Sequence, residues 1–111
     1  MKEIFERRSV RKFAAREVET EKLEAVLRAG MAAPSAGNQR PWEFYIVRDR
    51  EKLEALSKLS RYAGPIAAAP LAIVTVCDPE GKRFAEVAAT DMAACTENLW
   101  LGAVSVGLGT V

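Results

Sequence analysis

Histidine is absent from the 111 residues. Its absence excludes Ser-His-Asp and Cys-His nucleophile systems and every zinc site that needs an imidazole. Cysteine is scarce. Cys77 and Cys95 fit no C-x-x-C spacing, and both lie in apolar runs, the usual setting of a buried free thiol. A reduced, cytoplasmic chain is the simplest account, and no metal site is expected. An excess of either charge is also missing. Sixteen Lys and Arg face 15 Asp and Glu, for a net charge of +1, whereas a general nucleic-acid binder needs a sustained basic excess. Long apolar runs are lacking too. The longest, "LWLGAVSVGLGTV" from Leu99 to Val111, is glycine-rich and falls short of the ~20 apolar residues that span a bilayer. Met1 to Glu6 is charged, with no apolar run behind it to serve as a secretory signal. The expectation is a soluble protein with neither a nucleic-acid nor a membrane partner.

Half of the residues are apolar, enough for one packed domain or part of one. "KEIFERRS" suits a short amphipathic helix with Ile4 and Phe5 inward. "VETEKLEAVLRAGMAAPS" has stronger helical spacing: Thr20 is the candidate N-cap, Leu23, Val26, Leu27 and Met31 keep the period, and Pro34 stops it. Trp42 to Val47 is aromatic and β-branched, hence a strand. Asp49 then stands ready to cap a helix with Leu53, Leu56 and Leu59 on one face. Leu71 to Cys77 is a nearly continuous apolar run, the pattern of a strand covered on both faces, and "DPEG" after it is a turn. Arg83 to Val106 reads as one long helix rich in Ala, Ser and Gly, a composition that lets other backbones come close. "GLGTV" begins another extended segment. Helices and strands alternate, so the class is α/β or α+β.

Two stretches carry candidate chemistry. In "RRSVRKF", Arg7, Arg8, Arg11 and Lys12 crowd around Ser9. Arginine forks match phosphate oxygens, and a serine hydroxyl adds a donor. Arg7, Arg8 and Arg11 fall within one helical turn, while in an extended segment Arg7, Ser9 and Arg11 would share a face. The stretch reads equally as a solvated basic turn beyond a helix C-terminus, where cations are favoured anyway. In "APSAGNQRPW", Ser35, Asn38, Gln39 and Arg40 sit between two prolines, and Gly37 permits a turn with positive φ. Such a stiff loop with convergent amides suits a flat heterocycle, and it also suits an ordinary helix-to-strand connection. The Gly-x-Gly of "GLGTV" lacks the third glycine of a dinucleotide fingerprint and follows a helix instead of opening one. Asp91, Glu97 and Asn98 lie in the small-residue helix and need partners there.

In order, "RRSVRKF", "APSAGNQRPWEF" and "DMAACTENLWLGAVSVGLGTV" resemble the FMN-dependent nitroreductase family over essentially the whole chain. The resemblance implies an α+β, three-layer fold with a mixed central sheet and flanking helices. It also implies an intertwined homodimer with two FMN sites at the interface. By position, Arg7, Arg8, Ser9 and Arg11 would hold the phosphate and ribityl chain. Pro34, Ser35, Ala36, Asn38 and Gln39 would approach the flavin from the partner chain, and Asp91 would lie near it. The implied reaction passes a hydride from NADH or NADPH through flavin to a nitroaromatic, quinone or similar acceptor in a ping-pong sequence. Flavin carries the chemistry, so no catalytic protein side chain is implied. Arg40 stands where family members often carry glutamine. Relatives continue past "GLGT", so residues 1–111 would be the N-terminal two thirds of a single FMN-binding domain, lacking the C-terminal third. Two further readings stay open at this level: a flavin-binding module without turnover, and a fragment that only dimerises.

Overall fold

The computed structural model describes all 111 residues. Helix α1 (Lys2–Glu6) leads through an extended basic segment to helix α2 (Thr20–Met31). Strand β1 (Trp42–Val47), helix α3 (Arg50–Ser57) and strand β2 (Ala72–Cys77) follow, and helix α4 (Ala88–Ser105) comes last. Short 3₁₀ turns at Ala36–Asn38, Gly64–Ala68 and Ala85–Val87 join them.

The strands pair antiparallel, with Trp42 opposite Cys77 and Val47 opposite Ala72. One further rung is made where the Asp78 amide donates to the Pro41 carbonyl at 2.8 Å. Period-two alternation sets the faces of β1: Trp42 and Phe44 turn inward, while Glu43 and Tyr45 are exposed. Every residue of β2 is half-buried, as its unbroken apolar run anticipates. A separate parallel bridge joins Ser9 to Thr110, with the Val10 amide donating to the Thr110 carbonyl at 2.8 Å. The extended start read in "GLGTV" is this bridge, so the backbone pairing is of both senses.

The core lies where α2 crosses α4. Val26 and Ala33 meet Cys95, Leu99 and Ala103, and Trp42, Phe44 and Ile73 cover the cluster from the sheet. Spacings of three and four put Ala88, Asp91, Cys95, Leu99 and Ala103 on one stripe of α4. Burial pushes the Cys95 thiol above its ordinary pKa, and both cysteines are free. The Asn98 amide nitrogen crosses the helix pair to the Ala29 carbonyl at 3.1 Å.

Local chemistry accounts for most element ends. Asp49 caps α3 by accepting from the Lys52 amide at 3.0 Å, a contact typically worth about 1 kcal/mol. Asp78 accepts from the Glu80 amide at 3.0 Å and turns the chain after β2. Four expectations are corrected. Glu19, not Thr20, occupies the N-cap position of α2. Helix α3 stops at Ser57, which leaves Leu59 77 % exposed. Helix α1 forms, but Ile4 and Phe5 remain 53 % and 79 % exposed. The long helix begins at Ala88 instead of Arg83, because Phe84 has φ −122° and ψ 55° and is held from outside the helix.

An apolar groove of about 560 Å³ runs along β2, α2 and the 107–111 segment, lined by Phe13, Leu23, Val26, Ile73, Leu99 and Leu108 among others. No helix is long and apolar enough to cross a membrane.

Candidate functional site

The basic segment is extended. Helix α1 ends at Glu6, Arg7 adopts φ −57° and ψ 129°, and Ser9 pairs with Thr110. Inward positions recur every third residue, at Arg7, Val10 and Phe13, while Arg8, Ser9, Arg11 and Lys12 are exposed. A period of three is that of a polyproline-like strand, not of a pleated one. Arg7 therefore does not share an open face with Ser9 and Arg11. Its guanidinium lies 5.3 Å from the centre of the Trp100 ring and 3.7 Å from the Glu97 carboxylate, and so pins the segment to the middle of α4. Val10 packs so tightly against Gly109 that a methyl group there would sit 2.8 Å from a Val10 methyl. That close approach is what lets the Ser9–Thr110 bridge form.

The side chains of Arg8, Ser9 and Arg11 make no ion pair or hydrogen bond within the chain. Two guanidinium forks and a hydroxyl thus stand free on a short segment whose backbone is fixed by the bridge. Beside Arg8 lies a shallow hollow of about 670 Å³, walled by Phe5, Glu6, Val10, Val104 and Leu108. The donor set fits a phosphate group: cationic, exposed and unsatisfied.

The second stretch folds as a tight loop on the start of α4. Gly37 and Asn38 have φ of 55° and 58°, and Arg40 has 46°. A Cβ at Gly37 would lie 2.6 Å from the Phe84 ring, so glycine is required there both for its conformation and for space. The Ser35 hydroxyl oxygen accepts from the Arg40 amide at 2.9 Å, and the Asn38 side-chain carbonyl accepts from Arg40 Nε at 3.1 Å. Pro34, Asn38 and Arg40 are exposed, and Ser35 and Ala36 are half-buried.

Asp91 is 6 % exposed and receives two hydrogen bonds from this loop. The Ala36 amide donates to Oδ1 at 3.0 Å, and Gln39 Nε2 donates to Oδ2 at 2.7 Å. The same Gln39 nitrogen donates to the Phe84 carbonyl at 3.0 Å, and Gln39 Oε1 accepts from the Phe84 amide at 3.0 Å. Every polar atom of the Gln39 side chain is engaged.

The two stretches do not meet within the chain. Asp91 sits in the first turn of α4, whereas Ser9 is bridged to Thr110, past the helix end at Ser105. Asp91 to Ser105 is about 20 Å of helix at 1.5 Å per residue. Glu97, the partner of Arg7, stands six residues from Asp91 and hence about 120° around the helix. Phe84 and Trp100 are participants that the sequence did not single out, and for Glu97 it showed only the need of a partner, not that the partner is Arg7. Each acts through a contact more than forty residues distant, which no local spacing signals.

Comparison with known proteins places the fold and the family. A protein of Archaeoglobus fulgidus, provisionally named an NADH dehydrogenase/NAD(P)H nitroreductase, is 39 % identical over 112 residues, spanning 100 % of this chain and 64 % of its own. The solved structure of a provisional NADH oxidase from Clostridium acetobutylicum superposes with a TM-score of 0.94 at 48 % identity, over 96 % of this chain and 64 % of that one. An FMN-dependent nitroreductase from Clostridium difficile gives a TM-score of 0.88 at 38 % identity, over 96 % and 61 %. The chain thus spans less than two thirds of the length of these relatives. The fold is that of the nitroreductases. Residues 4–83 match the sequence model of the nitroreductase family, and the chain belongs to that family.

Proposed function

We propose that the protein is an FMN-dependent oxidoreductase that passes reducing equivalents from NADH or NADPH to a nitroaromatic, quinone or similar small acceptor in two separate half-reactions. The carrying observation is the set of free donors at Arg8, Ser9 and Arg11, held rigid by the Ser9–Thr110 bridge in a chain of the nitroreductase family. The Clostridium difficile relative is FMN-dependent, which supports the choice of cofactor. When bound, FMN supplies the hydride acceptance and return, for which the amino acids have no equivalent.

The residues of this chain bind and orient. Arg8 and Arg11 neutralise the phosphate, with Ser9 as a third donor. Arg7 fixes the segment against Glu97 and Trp100 and is placed to add its charge from behind. The loop from Pro34 to Gln39 presents Ser35 and Asn38 to the ring edge. Because the loop and the basic segment stand apart on α4, the reading includes a homodimer in which each site takes the loop from one copy and the basic segment from the other. The exposed apolar side chains of Ile4 and Phe5 on α1, beside the basic segment, give such a dimer surface to bury.

The test is an FMN titration followed by quenching of flavin fluorescence. Arg11→Ala should weaken FMN binding about tenfold or more, the scale of one lost charge-assisted contact. Turnover at saturating FMN should change much less. Unchanged FMN affinity in Arg11→Ala would return the segment to a solvated turn. Bound flavin that NADH and NADPH both fail to reduce would leave a binding module without turnover.

A further inference from the structure

We infer that Gln39 and Asp91 are positioning residues, which set the loop carrying Ser35 and Asn38 and do not themselves contact the flavin. The inference rests on the flavin reading above. It follows from which atoms are already taken. One Asp91 oxygen accepts from the Ala36 amide and the other from Gln39. The Gln39 amide group makes its other two bonds to the Phe84 backbone, accepting from N–H and donating to C=O. Asp91 is buried beneath the loop, on the stripe of α4 that also carries Cys95 and Leu99. Both N–H donors of Gln39 are taken, and its carbonyl oxygen is already turned to the Phe84 amide.

The clamp has work to do. Gly37, Asn38 and Arg40 all hold positive φ; glycine and asparagine tolerate that region, but arginine does not favour it. Such a backbone persists only where its surroundings over-determine it. Two bonds to Asp91 and two to Phe84 do so, and they leave Asn38 exposed and the Ser35 hydroxyl proton free to donate. The clamp also explains the late start of α4. Phe84 gives both its backbone groups to Gln39, and the helix begins only after the following 3₁₀ turn.

A double-mutant cycle on FMN affinity tests the inference, read together with amide hydrogen exchange. Gln39→Ala and Asp91→Ala should each weaken FMN binding about tenfold, and the double variant should also lose about tenfold, because either change opens the same clamp. Losses that multiply to about a hundredfold would mean that each side chain touches the flavin independently, and would overturn the inference. So would unchanged affinity in both single variants. Asp91→Asn keeps one acceptor and should fall between wild type and Asp91→Ala, which provides a milder variant should the alanine fold poorly. In the exchange arm, the amide of Arg40, bonded to neither clamp residue, should lose protection in Gln39→Ala as the loop comes loose. Retained protection there would overturn the inference even if flavin affinity fell. Wild-type protein that takes up no FMN would instead defeat the flavin reading, and the Arg40 amide would still decide whether the clamp sets the loop.

Discussion

At Gly37 two independent demands meet on one residue. Its φ of 55° is a conformation that costs an L side chain about 1–2 kcal/mol. A Cβ would also press to 2.6 Å from the ring of Phe84, whose backbone is held by the Gln39 amide. Gly37→Ala should therefore destabilise by about 2–3 kcal/mol, adding modest overpacking to the dihedral cost. The midpoint of thermal unfolding should fall by roughly 10 °C, and a calorimetric scan showing no shift would contradict the loop geometry. Arg40, at φ 46°, offers the contrast. Arg40→Gly relieves about 1 kcal/mol of backbone strain but loosens the unfolded chain by a similar amount. Its exposed bond to Asn38 adds little, so near-neutral stability is expected. Arg40 thus puts a charge at the loop surface without disturbing the clamp beneath.

The α2–α4 pair explains at the level of elements why α4 is so rich in small residues. A Cβ on Gly102 would stand 2.7 Å from the Ala29 Cβ and 3.4 Å from the Val26 Cα, and one on Gly30 would stand 2.6 Å from a Leu99 methyl. Alanine at either site gains about 1 kcal/mol of helix propensity. At Gly102 the obstacle includes backbone, so the helices must move apart; Gly102→Ala should lose about 1–2 kcal/mol net, since overpacking outweighs propensity. At Gly30 the obstacle is the end of one side chain, and the net loss should be smaller. Chemical denaturation of the two variants checks this ranking, and a more stable Gly102→Ala would refute the close crossing. Here the sequence is partly legible. Local periodicity placed β1, β2 and the starts of α2 and α3 within a residue or two, though α3 ends at Ser57, short of Leu59; the Asp49 cap was readable because its partner lies three residues on. The start of α4 was not, because the group that ends the helix pattern at Phe84 is Gln39, 45 residues earlier. Similarly, Ile4 and Phe5 have the pattern of an inward face, but spacing alone cannot say whether this chain supplies anything to cover it. For the site, the phosphate donors were recognisable by residue type. The diversion of Arg7 to Glu97 and Trp100 became visible only once the helix was in place.

Over the whole molecule, the arrangement around α4 constrains where a complete site can form. The chain has a radius of gyration of 14.4 Å, somewhat above the value of about 13 Å for a close-packed chain of this length. The excess goes with an elongated outline, 42 × 33 × 25 Å along its principal axes. The loop stands on the first turn of α4, while the basic segment is tied by Arg7 to its middle and by Ser9 beyond its last turn. If each flavin site draws one stretch from each copy, two defects on different chains should complement. One variant would carry Arg8→Ala and Arg11→Ala, the other Ser35→Ala and Asn38→Ala, and each alone should bind FMN poorly. After unfolding and refolding together in equal amounts, half of the dimers are mixed, and one of the two sites in each mixed dimer has both stretches intact. FMN binding with wild-type affinity should then return to about a quarter of all sites, by the two-fold symmetry of such an interface. A site built within one chain predicts no recovery at all, because every copy then carries one defect or the other. The recovered fraction therefore reads directly whether the two ends of α4 work in one molecule or across two.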